Sequence, residues 1–142
     1  MKPWTKILLL AIALVVAAFA KVIIKEVASS MKQNGAVEKL LLEVSAKTNK
    51  QLPVMVDEET RCDMTMVAGS KMVYKYTMIH YSSNKEINQK FKKEITKTLV
   101  ENQCSQENTV KLLNMGVSYN YIYFDKDGLM IASIDIDKSN CN

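Results

Sequence analysis

The chain has 142 residues, a formal net charge of +4 and 24% charged residues. That length suits one domain with a core of its own. Lysines alternate with acids along most of the chain, which argues against a nucleic-acid patch, and four glycines and two prolines leave no room for a low-complexity linker.

The first element is an apolar run, residues 7–24, preceded by Lys2 and Lys6 and with no acid before Glu26. A short basic stretch followed by an apolar segment is an export signal. Two fates stay open. Ala18-Phe19-Ala20 is a small-x-small cleavage site. Alternatively the run stays as an anchor, since a spanning helix needs roughly 17–25 residues. Lys21 interrupts the span near its outer end, where a lysine can snorkel. No cysteine stands directly after the run, so a lipoprotein signal is not indicated. Either fate puts the remainder outside the cytoplasm. The expected organisation is a signal peptide or membrane anchor over 1–24, a tether over 25–35 and an extracytoplasmic domain over 36–142.

From Ala36 to Asn49, Val37, Leu40, Leu41 and Val44 recur at helical spacing, and Leu52-Pro53 ends the helix. Val54-Met55-Val56 is a short apolar run broken by Asp57-Glu58-Glu59. Arg61 to Val67 alternates, with Cys62, Met64 and Met66 on one face and Arg61, Asp63 and Thr65 on the other. After Ala68-Gly69-Ser70, a second strand runs from Lys71 to Tyr81, with Met72, Tyr74, Tyr76, Met78 and His80 sharing a face. The two strands form an antiparallel hairpin. Ser83 and Glu86 stand at capping-box spacing ahead of a helix whose stripe is Ile87, Phe91, Ile95 and Leu99. Asn102 to Ser105 interrupts, and a short helix from Gln106 stops at Gly116. Val117–Phe124 and Leu129–Ile136 flank Asp125-Lys126-Asp127-Gly128, a strong hairpin turn. The fold class is α+β in the order α-β-β-α-α-β-β: a four-stranded, mainly antiparallel sheet with about three helices against one face.

Candidate chemistry is sparse. In an exported chain cysteines pair. Cys104 with Cys141 is the expected bond, tying the C-terminus to the body, and Cys62 is left either as a small buried hydrophobe or as a free redox or intermolecular thiol. His80 is the sole histidine, so a multi-histidine metal site is absent. The Asp125–Gly128 loop lacks ligands at calcium-loop positions, because Tyr123 and Ile134 stand where the first and last would be. Asp135 and Asp137 are two apart and would share one side of a strand. Met64 and Met66, with Met72 across the hairpin, are core by default and a soft-metal site only if clustered. Neither a metal nor a cofactor is expected. Tyr74, Tyr76, Tyr119, Tyr121 and Tyr123 line strand faces. Toward the helices they are core; on an uncovered face they would make an aromatic interaction surface.

The Leu52-Pro53…Asp57…Thr60-Arg61 segment, Tyr74-Lys75-Tyr76-Thr77 ahead of the capped helix, and the late pair Cys104 and Cys141 resemble a group of short, uncharacterised exported or membrane-anchored bacterial proteins. The resemblance supports the pairing and implies an apolar residue where Cys62 stands. It carries over no functional residue. The expected function is that of a non-enzymatic envelope interaction or accessory module with an unknown envelope protein as partner, the membrane as a second contact if residues 7–24 are retained, and no nucleic acid. The competing expectation is a small extracytoplasmic enzyme using Cys62 or the Asp57–Arg61 segment.

Overall fold

The computed structural model describes residues 34–141. The apolar run and its two fates lie outside them. Three helices, α1 (Asn34–Asn49), α2 (Lys85–Ser105) and α3 (Glu107–Asn114), accompany five strands, β1 (Val54–Met55), β2 (Thr60–Ala68), β3 (Lys71–Met78), β4 (Ser118–Phe124) and β5 (Met130–Ile136). A 3-10 turn, Lys138–Cys141, ends the described chain.

The strands form one sheet in the order β1-β2-β3-β4-β5. The sheet has five strands rather than the expected four, because the short run at Val54-Met55 pairs with β2 (Val54↔Cys62, Met55↔Arg61). Each sequential pair is antiparallel except β3 and β4, which run parallel because α2 and α3 carry the chain back between them.

β2 departs from simple alternation. Cys62 pairs with Tyr76, but Met64 pairs with Lys75, so Asp63 is an extra residue bulged out of the ladder. A slip of one residue sends every later side chain to the other face. Thr60, Cys62 and Thr65 are buried, whereas Met64 and Met66 are exposed on the opposite side. The expected grouping of Cys62, Met64 and Met66 is therefore corrected, and Met72, buried beneath the helices, does not meet the other two methionines.

α1 packs on β2 and α2 on β5. Leu41, Ile95, Leu99, Leu112 and Leu113 bring their apolar faces to one core cluster. α1 is also fastened to β2 by polar contacts. Asn49 at its last turn donates from Nδ2 to the Thr65 carbonyl (2.9 Å) and accepts the Thr65 N–H on Oδ1 (2.7 Å), and Ser45 Oγ shares a 2.8 Å hydrogen bond with Thr65 Oγ1. The Asn49 carboxamide thus occupies the backbone groups that a further strand would need at that point of the edge.

α2 begins at Asn84, whose side chain accepts from the Ile87 N–H (2.9 Å), rather than at Ser83. The Ser83 N–H is taken by Asp125 Oδ2 (3.0 Å). Asp125 Oδ1 also accepts from the N–H groups of Asp127 (2.9 Å) and Leu129 (2.8 Å), while Gly128 supplies φ +82°. Burial alone would raise this carboxyl, but these hydrogen bonds hold it down at about 2. The Asp125–Gly128 loop is a turn locked to the β3–α2 connection. α2 runs through Asn102 and Gln103 to Ser105, further than expected, because Gln103 is a core residue.

Candidate functional site

The two faces of the sheet hold different chemistry. On the helix-covered face, parallel pairing sets Tyr74 beside Tyr121 and Tyr76 beside Tyr123, with Tyr119 next to Met72. Their rings stack in a ladder: Tyr74–Tyr121 centroids are 5.4 Å apart and Tyr76–Tyr123 5.1 Å, with Phe91 of α2 edge-on to Tyr123 at 5.3 Å. Tyr121 is fully buried, and its hydroxyl accepts from Gln103 Nε2 at 2.8 Å. Burial pushes all five hydroxyls up, and neighbouring tyrosines add to the rise at Tyr74, Tyr76 and Tyr121. Asp57 and Cys62 add to it at Tyr123. These five tyrosines are core, and the aromatic interaction surface is corrected: the covering helices leave the rings no access to a partner.

Cys62 lies on the same face and is free but buried. Burial, and next the Asp63 carboxylate, push its thiol up to about 12, against a hydrogen bond with Tyr76 that lowers it. A nucleophilic or redox cysteine needs the opposite shift and access to solvent. The thiol-enzyme expectation therefore loses its residue. In the Asp57–Arg61 segment Asp57 Oδ1 and Arg61 are engaged locally, while Asp57 Oδ2 is buried without a hydrogen-bond partner. Asp57 Oδ1 accepts the N–H groups of Glu59 (2.8 Å) and Thr60 (2.7 Å), closing a turn, and Arg61 pairs with Asp63 at 2.6 Å rather than with Asp57.

The remaining candidates do not converge. His80 falls beyond the end of β3 and is exposed, not on the tyrosine face. Asp135 pairs with Lys71 (2.7 Å), while Asp137 accepts the Ser139 N–H (2.8 Å) and hydroxyl (2.6 Å) past the end of β5, so the two carboxylates serve separate structures. Among the described residues no three His, Cys, Asp or Glu side chains could hold a metal ion. A shallow cleft between the end of α3 and the C-terminal turn is lined by Leu113, Val117, Asp137 and Ser139, and its one carboxylate is already engaged. Cys104 and Cys141 form a disulfide with Cα atoms 5.2 Å apart, fastening the C-terminal turn to α2.

The opposite face of the sheet carries no helix among the described residues. Register gives its rows: Arg61, Thr77, Phe124, Met130; then Met64, Lys75, Ile122, Ser133; then Met66, Val73, Asn120, Asp135. An apolar diagonal, Met66–Val73–Ile122–Phe124–Met130, crosses from β2 to β5. Its ends are open, Met66 at 43% and Met130 at 60% exposure, while Ile122 and Phe124 are half-buried and Val73 is buried. Lys75 sits in the middle of this diagonal with its Nζ 4.7 Å from the Phe124 ring centroid. Polar clusters border it at two corners. At one, Asp63 accepts from Arg61 Nε and from the Thr77 hydroxyl (both 2.6 Å); at the other, Lys71 pairs with Asp135 and Asn120 donates to Ser133 Oγ at 3.0 Å. The face thus combines exposed apolar side chains with one central lysine and bordering ion pairs. Sequence reasoning missed it because neither the Asp63 bulge nor the irregularity beside Phe124 has a residue signature, and the parallel neighbour of β3 is set by the whole crossover. The alternation of Val73, Lys75 and Thr77 was its one legible sign.

No helix among the described residues is long and apolar enough to cross a membrane. No curated protein sequence matches the chain. Solved structures with a similar fold include a protein described as secreted and two pilotins of type II secretion systems. A protein from Pseudomonas aeruginosa described as secreted has TM-score 0.63 and 16% identity, over 77% of this chain and 96% of that one. The pilotin EpsS of the Vibrio vulnificus type 2 secretion system has TM-score 0.63 and 14% identity, over 77% and 94%. The type II secretion system pilotin AspS from Vibrio cholerae has TM-score 0.57 and 14% identity, over 81% and 99%. At such identities the likeness is one of fold. Residues 36–131 match a family described as a domain of unknown function, DUF8479. Matched over more than half its length, the chain belongs to the DUF8479 family.

Proposed function

We propose that this chain is a non-enzymatic envelope module that works by binding a protein partner, exported by residues 1–24 and, if they are retained, tethered to the membrane through the 25–35 segment. The observation that carries this reading is that the shared fold spans 94% and 99% of the two pilotin chains, so it is their whole body and not a fragment that the chain resembles. The partner class is accordingly a component of an envelope secretion or transport apparatus. The extracytoplasmic setting also gains support from the Cys104–Cys141 disulfide, a bond that persists in oxidising compartments. Burial of Cys62 and the separate structural duties of Asp57, Asp135 and Asp137 favour this reading over an enzymatic one.

The test is crosslinking in intact cells, with fractionation and N-terminal sequencing of the recovered chain. The expected result is an oxidised chain outside the cytoplasm, beginning at Lys21 or retaining Met1 at the membrane, and crosslinked to one envelope protein. A cytoplasmic chain with reduced Cys104 and Cys141, or the absence of any specific envelope adduct, would overturn the reading.

A further inference from the structure

Resting on the reading of the chain as a binding module, we infer that the helix-free face of the sheet is its docking surface, and that its occupant is an amphipathic helix of a protein partner carrying one carboxylate in the middle of its apolar stripe. The diagonal fixes the size. It crosses three strand spacings, about 14 Å, and four residues along the strands, about 13 Å. The stripe is therefore about 20 Å long and matches about 13 residues of α-helix.

Backbone chemistry selects a helix. The face of a sheet offers no free N–H or C=O groups, so an extended segment laid on it would leave its own backbone unpaired. A helix satisfies its backbone internally and brings only side chains, as in helix-on-sheet layers. The four exposed methionines on the face, Met55, Met64, Met66 and Met130, are unbranched and adapt to a partner's contours.

Charge selects the carboxylate and argues against the other occupants. Arg61 and Lys71 are each paired with an aspartate at the borders, while Lys75, at the centre, has no carboxylate partner among the described residues. In a symmetric face-to-face dimer, a residue near the middle of the contact meets its own copy, so two Lys75 ammonium groups would approach each other. An anionic lipid surface is recognised by clusters of cations, and with Arg61 and Lys71 neutralised by Asp63 and Asp135 this face offers a single one. A lone partner glutamate or aspartate matches that single cation.

The experiment places a photo-crosslinking amino acid at Ile122 in the full chain, expressed in its own cells, and at Lys97 on the exposed side of α2 as a control position. Adduct peptides are mapped by mass spectrometry. The expected product at position 122 is a partner segment with apolar residues at helical spacing and an acid among them. Its yield falls at least tenfold in Lys75→Glu and stays within twofold in Lys75→Arg. Thermal melts of each variant check that the fold is kept, and a second crosslinker position at Met66 serves if Ile122 is not tolerated. Adducts of the chain with itself, adducts with lipid, a mapped segment with no acid, or a yield indifferent to Lys75→Glu would each overturn the inference. Partner adducts from position 97 alone would overturn this surface while leaving the binding-module reading intact. No protein adduct from any of the positions would overturn both.

Discussion

The same strands present two faces with opposite economies. Under the helices, five tyrosines and Cys62 are sealed from water, and stacking and burial hold them. On the other side, Met64, Met66 and Lys75 sit among border ion pairs with nothing packed over them among the described residues. Met64 and Met72 make the point most sharply. Both belong to the β2–β3 hairpin, yet one is 38% exposed and the other 2%. The covered face specifies the fold. On the uncovered face the exposed methionines Met64, Met66 and Met130 can change at little cost in stability, whereas Val73 and Asn120 are buried there.

The largest way to break the covered face is alkali. Each core tyrosine has its pKa raised above the ordinary 10.0, so it contributes full stability below pH 10, and that stability is lost as the pH climbs from 10 toward the folded-state values. Each tyrosine that must stay protonated steepens the loss by about 1.4 kcal/mol per pH unit. Unfolding should therefore be abrupt above pH 10, with phenolate absorbance and loss of circular dichroism rising together. A phenolate signal near pH 10 in a still-folded protein, larger than the one half-buried Tyr81 can supply, would contradict the burial.

Removing the disulfide with Cys104→Ser and Cys141→Ser comes next. The bond spans a sequence separation of 37, and loop-closure entropy makes its loss worth roughly 4 kcal/mol as a ceiling. Urea melts should show that loss in midpoint, with the open face unchanged in its reactivity. Tyr121→Phe should cost about 1–3 kcal/mol, because it leaves Gln103 Nε2 buried without its acceptor. Smallest of all, Met66→Ser on the open face should stay within about 0.5 kcal/mol. A Met66 variant as damaging as Tyr121→Phe would erase the distinction between the faces.

Much of this was legible in the sequence because periodicity reports burial. The α1 stripe, the stripe of α2 and the strands around Asp125–Gly128 all lie close to where their spacing puts them. The losses have physical causes. β1 is two residues long, too short for alternation to show, so the fifth strand was read as a broken apolar run. The bulge at Asp63 adds one residue without a glycine or proline to mark it, so the phase of Met64 and Met66 came out reversed. Ser83 looked like the helix cap until Asp125, distant in sequence, claimed its N–H. The open face was least legible, since it depends on β3 lying beside β4, a pairing that only the α2–α3 crossover decides.

Methionine oxidation tests the division of the two faces most directly, since one residue type reports on both within one molecule. Native protein treated with dilute peroxide and followed by peptide mass spectrometry should acquire sulfoxide first at Met55, Met64, Met66 and Met130, while Met72 and Met78 stay reduced until the protein is unfolded. If Met64 and Met66 stay as protected as Met72 while Met130 oxidises, the bulge at Asp63 does not reverse the strand, and the open face does not exist.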